Sequence, residues 1–152
     1  MKSTPTVAAL LTGLRQNRAS SPRMIWYGPG GERVELSGRV LDNWVAKTAN
    51  LMVDNLDADE STTVLLDMPP HWRSLCWALA GWQTGATIRL DTDGDAASSD
   101  LIVTAQPEHW GDDVKAPQYL VAVALGALDM RWNGDLPADA VDYASEVRAH
   151  AD

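Results

Sequence analysis

The segment from Thr62 to Asp91 constrains the fold of this 152-residue chain more than any other segment does. It begins with a short apolar run, typical of a buried strand, which the Pro69-Pro70 turn ends. His71 to about Thr84 is apolar nearly all round, as in a helix that is covered on most sides, and Gly85 is a natural C-terminal cap. Ala86 to Leu90 then predicts a second buried strand. The segment therefore predicts a βαβ unit.

The apolar helix of this unit supplies the predicted core. Trp72, Trp77 and Leu79 are expected to be buried in it. Cys76 lies in the same apolar run, so we interpret it as a small buried side chain rather than a nucleophile. It is the only cysteine, which excludes an internal disulfide and favours a cytoplasmic location.

Helical and strand patterns alternate along the rest of the chain. A Gly-rich turn between two short apolar runs predicts a β-hairpin, and Ser37 can cap the helix that follows it. The other predicted elements are a helix starting at Thr4-Pro5, strands at Leu101 to Thr104 and Tyr119 to Leu125, and a terminal helix from Pro137 to His150. The pattern predicts an α/β fold, with a mostly parallel sheet, helices on both faces and an N-terminal β-hairpin. We expect a single domain over residues 1–152.

The charge of the chain restricts its partners. Its 21 acidic and 12 basic residues give a net charge of −9, which repels polyanions. No cluster of Lys and Arg interrupts this acidic composition. No apolar run approaches the roughly 18 residues that a membrane span needs. We therefore expect neither nucleic-acid nor membrane binding.

The order of these elements resembles the N-terminal subdomain of the adenylate-forming superfamily, which includes acyl-CoA synthetases, luciferases and nonribosomal peptide adenylation domains. The match runs over roughly residues 20 to 91. The residues that carry it are Tyr27-Gly28, Leu36-Ser37, Leu41, Ala46, Ala49, Leu51, Val64-Leu65-Leu66, Pro70-His71-Trp72, Ala78, Gly85-Ala86 and Leu90-Asp91. The chain is also similar to short bacterial proteins that contain this portion alone.

The resemblance implies a fold rather than an activity. The matching residues are structural in the family, and none of them is catalytic there. The family's chemistry depends on a phosphate loop ending in lysine, on downstream ATP-binding motifs and on a lysine in a C-terminal lid domain. The lysines of this sequence are Lys2, Lys47 and Lys115, and none lies in a Gly- and Ser-rich loop. We therefore expect a truncated domain without a catalytic residue, and predict no cofactor.

Two Pro-x-His-Trp turns, at His71 and His109, each follow a predicted strand. The carboxyl ends of parallel strands meet at one edge, where ligands of open α/β sheets bind. Asp67 and Asp91 should end on that edge too. These four residues are the candidate ligand-binding residues, and two His with a carboxylate could hold a transition metal or serve acid–base chemistry. The alternative is structural: proline starts a helical turn and Trp covers the sheet end. No metal site is predicted.

Three functions follow as hypotheses. The first is a non-catalytic adenylate-forming-like module that binds or assembles. The second is a small-molecule or metal-binding α/β protein, enzymes included, that uses the carboxyl edge of the sheet. The third is a remnant or a fragment of a longer chain.

For the first hypothesis we expect a homodimer or another protein as partner. The expected contact is either an open strand edge at Tyr119 to Leu125 or the helix from His71 to Thr84. In the alternative, the segment from Pro137 to His150 folds back and covers the gap.

Overall fold

A parallel β-sheet of five strands forms the centre of the molecule. The computed structural model describes residues 4–91 and 95–152. In chain order, the α-helices and strands are α1 (Val7–Gln16), β1 (Pro22–Tyr27), β2 (Arg33–Ser37), α2 (Gly38–Asn55), β3 (Thr63–Asp67), α3 (Trp72–Thr84), β4 (Thr87–Arg89), β5 (Leu101–Thr104), β6 (Tyr119–Ala122), β7 (Val141–Asp142) and α4 (Tyr143–Glu146). The strand order is β4-β3-β5-β6-β7, with every neighbouring pair parallel, and β1 and β2 form a separate antiparallel hairpin. The predicted α/β class, parallel sheet and N-terminal hairpin are confirmed.

Local capping explains where the helices begin and end. The Ser37 hydroxyl accepts a hydrogen bond from the backbone N–H of Val40, and Gly85 ends α3 in the left-handed conformation with a φ of 87°. Both caps were predicted correctly. The first helix is capped by Thr6 rather than by Thr4, so the predicted start was too early. Among the residues that the structure describes, no helix combines the length and the apolar character needed to cross a lipid bilayer.

Successive side chains of a strand point to opposite faces of the sheet. The two faces of this sheet are covered by different structures. On the first, which we call the α-face, five sheet residues belong to one buried cluster with residues of α1 to α4; they are Val64, Leu66, Leu101, Val103 and Val121. On the second, which we call the thin face, Leu65, Ile102 and Leu120 pack with Ala96 beneath the partly buried Trp110, Val114 and Ala140. Short 3-10 turns at Ala96–Ser98 and Pro107–His109 contribute to this covering. α-Helices therefore cover the α-face, whereas short 3-10 turns and loops cover the thin face.

The predicted core of α3 is confirmed. Trp72, Trp77 and Leu79 are buried in the α-face cluster, and so is Cys76. The ring of Trp77 lies 5.2 Å from that of Tyr143, which connects α3 to α4. Burial raises the pKa of the Cys76 thiol to about 12, so the thiol stays protonated at neutral pH and is a poor nucleophile.

The C-terminal region differs from the single helix predicted over Pro137 to His150. Val141 and Asp142 form β7 and pair with Val121 and Ala122, and α4 is followed by a 3-10 turn at Val147–Ala149. The helical spacing of the apolar residues did not reveal the strand, because its pairing partner lies far away in the sequence.

The strand order bears on the open edge that was predicted at the apolar run Tyr119 to Leu125. Strand β6 lies between β5 and β7 in the sheet order. The prediction of an open edge at this run is therefore wrong. The C-terminal segment lies beside this run as strand β7, which pairs with Val121 and Ala122, rather than as the predicted terminal helix.

Candidate functional site

The carboxyl ends of β3 and β5 place a held carboxylate at one edge of the sheet. Asp67, the last residue of β3, lies beside Thr104, the last residue of β5. The Thr104 hydroxyl donates to Asp67 Oδ2 at 2.9 Å, and Trp110 Nε1–H donates to the same oxygen at 2.7 Å. Thr104 Oγ1 in turn accepts from the backbone N–H of Gln106. Because two donors reach the same oxygen, they fix the orientation of the carboxylate. Hydrogen bonds to a carboxylate are stronger than those between neutral groups.

Two cavities adjoin at this carboxylate, and Asp67 and Gln106 border both. The first has a volume of about 710 Å³ and a largely apolar wall that includes Met68, Pro70 and Leu90. The second has a volume of about 640 Å³ and adds the polar side chains of Asp95, His109 and Asp113. Among the described residues that line the two cavities there is no Lys or Arg. The site therefore favours cations and hydroxyl groups over anions.

The structure brings two of the four predicted site residues together. Asp67 and His109 line the same cavity, His109 from the 3-10 turn that follows β5. His71 and Asp91 line neither of the two cavities. Within residues 4–91 and 95–152 there is no group of three His, Cys, Asp or Glu side chains that could hold a metal ion.

His71 serves as the N-terminal cap of α3. Its Nδ1 accepts from the backbone N–H of Arg73 at 3.1 Å, and its Nε2 lies 3.1 Å from the carbonyl oxygen of Leu125. The first contact requires a bare Nδ1, so the proton is on Nε2, which donates to Leu125. Burial, assisted by the charge of Arg73, lowers the pKa of His71 to about 4. The ring is therefore neutral at pH 7, with both nitrogens engaged.

Arg73 is a buried cation that sequence reasoning missed. Its side chain is enclosed by protein, with 2% of the residue exposed, and one Nη donates to the carbonyl oxygen of Ala124. The guanidinium carbon lies 4.8 Å from the ring centroid of Trp72 and 5.9 Å from that of Trp44. In the described part of the chain it forms no ion pair with a carboxylate, and burial lowers its pKa. The available signal was a charged residue within an otherwise apolar helix.

His71 and Arg73 thus hold two successive carbonyl groups, those of Leu125 and Ala124, just beyond the end of β6. The indole N–H of Trp26 donates to the carbonyl oxygen of Pro70 at 2.8 Å, which connects the hairpin to the residues just before α3. The Trp26 and His71 rings lie 4.4 Å apart. The hairpin, the start of α3 and the end of β6 are therefore joined at one point, on the α3 side of the carboxyl edge.

Asp91 is engaged by Arg89, the last residue of strand β4, which lies two positions before it in the chain. Arg89 donates from Nε and Nη2 to the two carboxylate oxygens, at 3.0 and 2.9 Å, and also reaches the hydroxyls of Ser98 and Ser99. The hydrogen bonds from Arg89 lower the pKa of the Asp91 carboxyl. This arrangement ties the end of β4 to the 3-10 turn on the thin face.

Comparisons with known proteins agree with this fold. No protein-family model matches the sequence. Over 99% of its length the chain is 34% identical to a TIGR03089 family protein of Mycobacterium tuberculosis, of which it spans 63%. An acyl-CoA synthetase of Brucella canis superimposes with a TM-score of 0.74 at 16% identity, with 99% of this chain covering 29% of that one. The acetoacetyl-CoA synthetase of Streptomyces lividans superimposes with a TM-score of 0.76 at 13% identity, with 97% of this chain covering 25% of that one.

The resemblance to the N-terminal subdomain of adenylate-forming enzymes is therefore confirmed as a likeness of fold. At such identities a shared fold does not establish a shared activity, because activity depends on the residues of the site. The chain corresponds to less than a third of the length of these synthetases.

Proposed function

We propose that this chain is a non-catalytic module with an adenylate-forming-like fold, whose role is binding or assembly. One observation carries the proposal: the described walls of the two carboxyl-edge cavities contain carboxylates and no Lys or Arg. Acyl adenylation transfers a nucleotide from a polyanion, and its transition state needs cations where negative charge develops. Asp67, Asp95 and Asp113 supply the opposite charge.

The lysines in the described residues lie elsewhere. Lys47 is on α2, paired with Asp152. Lys115 borders a separate cavity beside Tyr119, at the start of β6 and therefore at the amino edge of the sheet. Neither position provides a phosphate-binding group at the carboxyl edge.

The test is pyrophosphate exchange between ATP and the purified protein, with a panel of aliphatic, aromatic and amino acids. We expect no exchange above a blank without protein. Turnover that a single substitution in this chain abolishes would overturn the proposal, since a contaminating synthetase would be unaffected by that substitution.

For assembly, the outer side of α3 is the surface that fits a second copy of this chain. Leu75 and Trp82 are 38% and 49% exposed, and the partly exposed Ala78 lies between them at helical spacing. A small residue flanked by two large apolar residues allows two such helices to approach closely. A twofold dimer, the commonest oligomer, would bury both stripes at once.

Sedimentation equilibrium at micromolar concentration tests this contact. We expect a dimer, and we expect Leu75→Glu together with Trp82→Glu to give a monomer. The matched control is Leu128→Glu, which changes an even more exposed leucine outside the stripe and should leave the dimer intact. A 16.5 kDa species for the unsubstituted chain at all concentrations would exclude self-association.

A second candidate function is supported by the cavity shared by Asp67 and His109. A carboxylate held by Thr104 and Trp110, beside an imidazole, fits a small ligand that carries an amine or several hydroxyl groups. Thermal shift with divalent metals, polyamines, nucleotides and CoA derivatives would identify such a ligand. A shift that Asp67→Asn removes would favour this function over the first, and no shift with any compound would reject it for these classes.

A further inference from the structure

The polar side of α2 carries an ordered set of contacts that the proposed function does not use. Three residues of the chain, 150–152, lie along it. Lys47 Nζ donates to the carbonyl oxygen of His150 at 2.7 Å, and Asn50 Nδ2 donates to that of Ala151 at 2.9 Å. This side of α2 carries Asn43, Lys47 and Asn50, and part of it is occupied by the chain itself.

Charged groups complete the contact at both ends. The carboxylate of Asp152 pairs with Lys47 and accepts from Asn43 Nδ2 at 3.1 Å, while His150 Nδ1 lies 3.5 Å from Asp54. As the segment proceeds from residue 150 to 152, its partners move from the end of α2 towards its start. The segment therefore runs antiparallel to α2.

This contact holds residues 150–152 against α2, while the start of the same segment is joined to the sheet by the short strand β7. Only two residue pairs connect β7 to β6 in the described register. Behind β7, Tyr143 and Val147 are buried in the α-face cluster, and the Tyr143 hydroxyl lies 2.7 Å from that of Thr48 on α2. Residues 150–152 thus hold the far end of the segment whose near end is β7.

We propose that residues 150–152 and the polar side of α2 form an electrostatic latch, which sets how often residues 141–152 open locally from the body of the protein. The side chains of Lys47 and Asp152 are 28% and 53% exposed, so salt can screen their attraction. Breaking the latch removes the contacts of residues 150–152, and the segment then opens together with Tyr143 and Val147 while the rest of the α-face cluster stays packed. This inference does not depend on the assembly role.

Hydrogen exchange of the full chain, followed residue by residue, tests the latch with Lys47→Met, which removes the charge and keeps most of the stem. An ion pair and one hydrogen bond lost together correspond to an increase in local opening of roughly five- to tenfold. We expect this increase at the amides of Val147 and His150, which donate within the segment, and no change in β3 and β5. In 1 M salt, hydrogen exchange at these two amides should also be faster in the unsubstituted chain.

Lys115→Met is the matched control, since Lys115 forms no ion pair within the described residues. It should leave exchange in the segment unchanged. Equal rates for Lys47→Met and the control at Val147 and His150 would overturn the latch. A uniform acceleration of all amides would overturn it too, because Lys47 would then act on global stability.

Discussion

The α-face and the thin face of the sheet are built on the same strands, yet they are covered in different ways. The α-face buries side chains from four helices in one extended cluster, whereas the thin face has a cluster of Leu65, Ala96, Ile102 and Leu120 beneath turns and loops. The polar cavity of Asp67 and His109 opens beside the thin-face residue Trp110. Most of the buried apolar side chains therefore belong to the α-face, while the candidate site lies among the turns and loops of the other face.

The largest expected effect is at the centre of the α-face. Trp77→Ala should lower the free energy of unfolding by about 3–5 kcal/mol, because a buried indole leaves a cavity that packed helices cannot fill. Chemical denaturation measures it. Leu128→Ala is the control, since Leu128 is 90% exposed and lies outside the proposed dimer contact, and it should cost less than about 1 kcal/mol. A Trp77→Ala protein as stable as the parent would contradict the dominance of this face.

A matched pair of leucines compares the faces directly. Leu101 and Leu65 lie on neighbouring strands and are 1% and 0% exposed, but they point to the α-face and the thin face respectively. Leu→Ala should cost about 4 kcal/mol at Leu101 and about 2–3 kcal/mol at Leu65, since turns collapse into a cavity more readily than helices do. Equal costs from denaturation curves would show that the thin face is packed as rigidly as the other.

The capping histidine makes the α3 side of the carboxyl edge sensitive to acid. Burial lowers the pKa of His71 to about 4 in the folded protein from its ordinary value of 6.5, so the unfolded chain binds more protons between these pH values. Stability should therefore fall as the pH drops from about 6.5 to 4, by up to about 3 kcal/mol. His71→Asn keeps a capping side chain and removes the titration. A difference between the two proteins that does not change with pH would refute this linkage.

The smallest expected effect is at the held carboxylate. Trp110→Phe removes the N–H that donates to Asp67 and keeps most of the apolar cover of the thin face. We expect a loss of about 1–2 kcal/mol, in the range for a hydrogen bond to a charged acceptor. Trp132→Phe, at a partly exposed site outside the proposed dimer contact, controls for the change of ring. If both variants had the same midpoint of denaturation, the carboxylate would not be held through Trp110.

Local signals in the sequence explain which parts of the fold could be predicted. Ser37 and Gly85 mark the ends of their helices through chemistry within a few residues, and buried strands such as β5 are continuous apolar runs. Strand β7 lacks such a signal, because two residues have no period and depend on pairing with β6.

The same distinction applies to the site. Asp67 and His109 could be placed near one another from the rule that parallel strands end at one edge. The roles of Thr104, Trp110 and Arg73 could not, because each depends on a contact between segments that are distant in sequence.

The carbonyl groups of Ala124 and Leu125, held by Arg73 and His71, bear on the solubility of the chain. The run from Tyr119 to Leu125 reads YLVAVAL, with high β-propensity and neither charge nor proline. Segments of this composition form amyloid-like stacks when their backbone groups become free to pair with other chains. Strands β5 and β7 occupy the first part of the run, and two side chains of α3 occupy acceptors at its end. The N-terminal end of α3, with its cap His71, therefore occupies backbone acceptors of an aggregation-prone stretch at the point where its strand neighbours end.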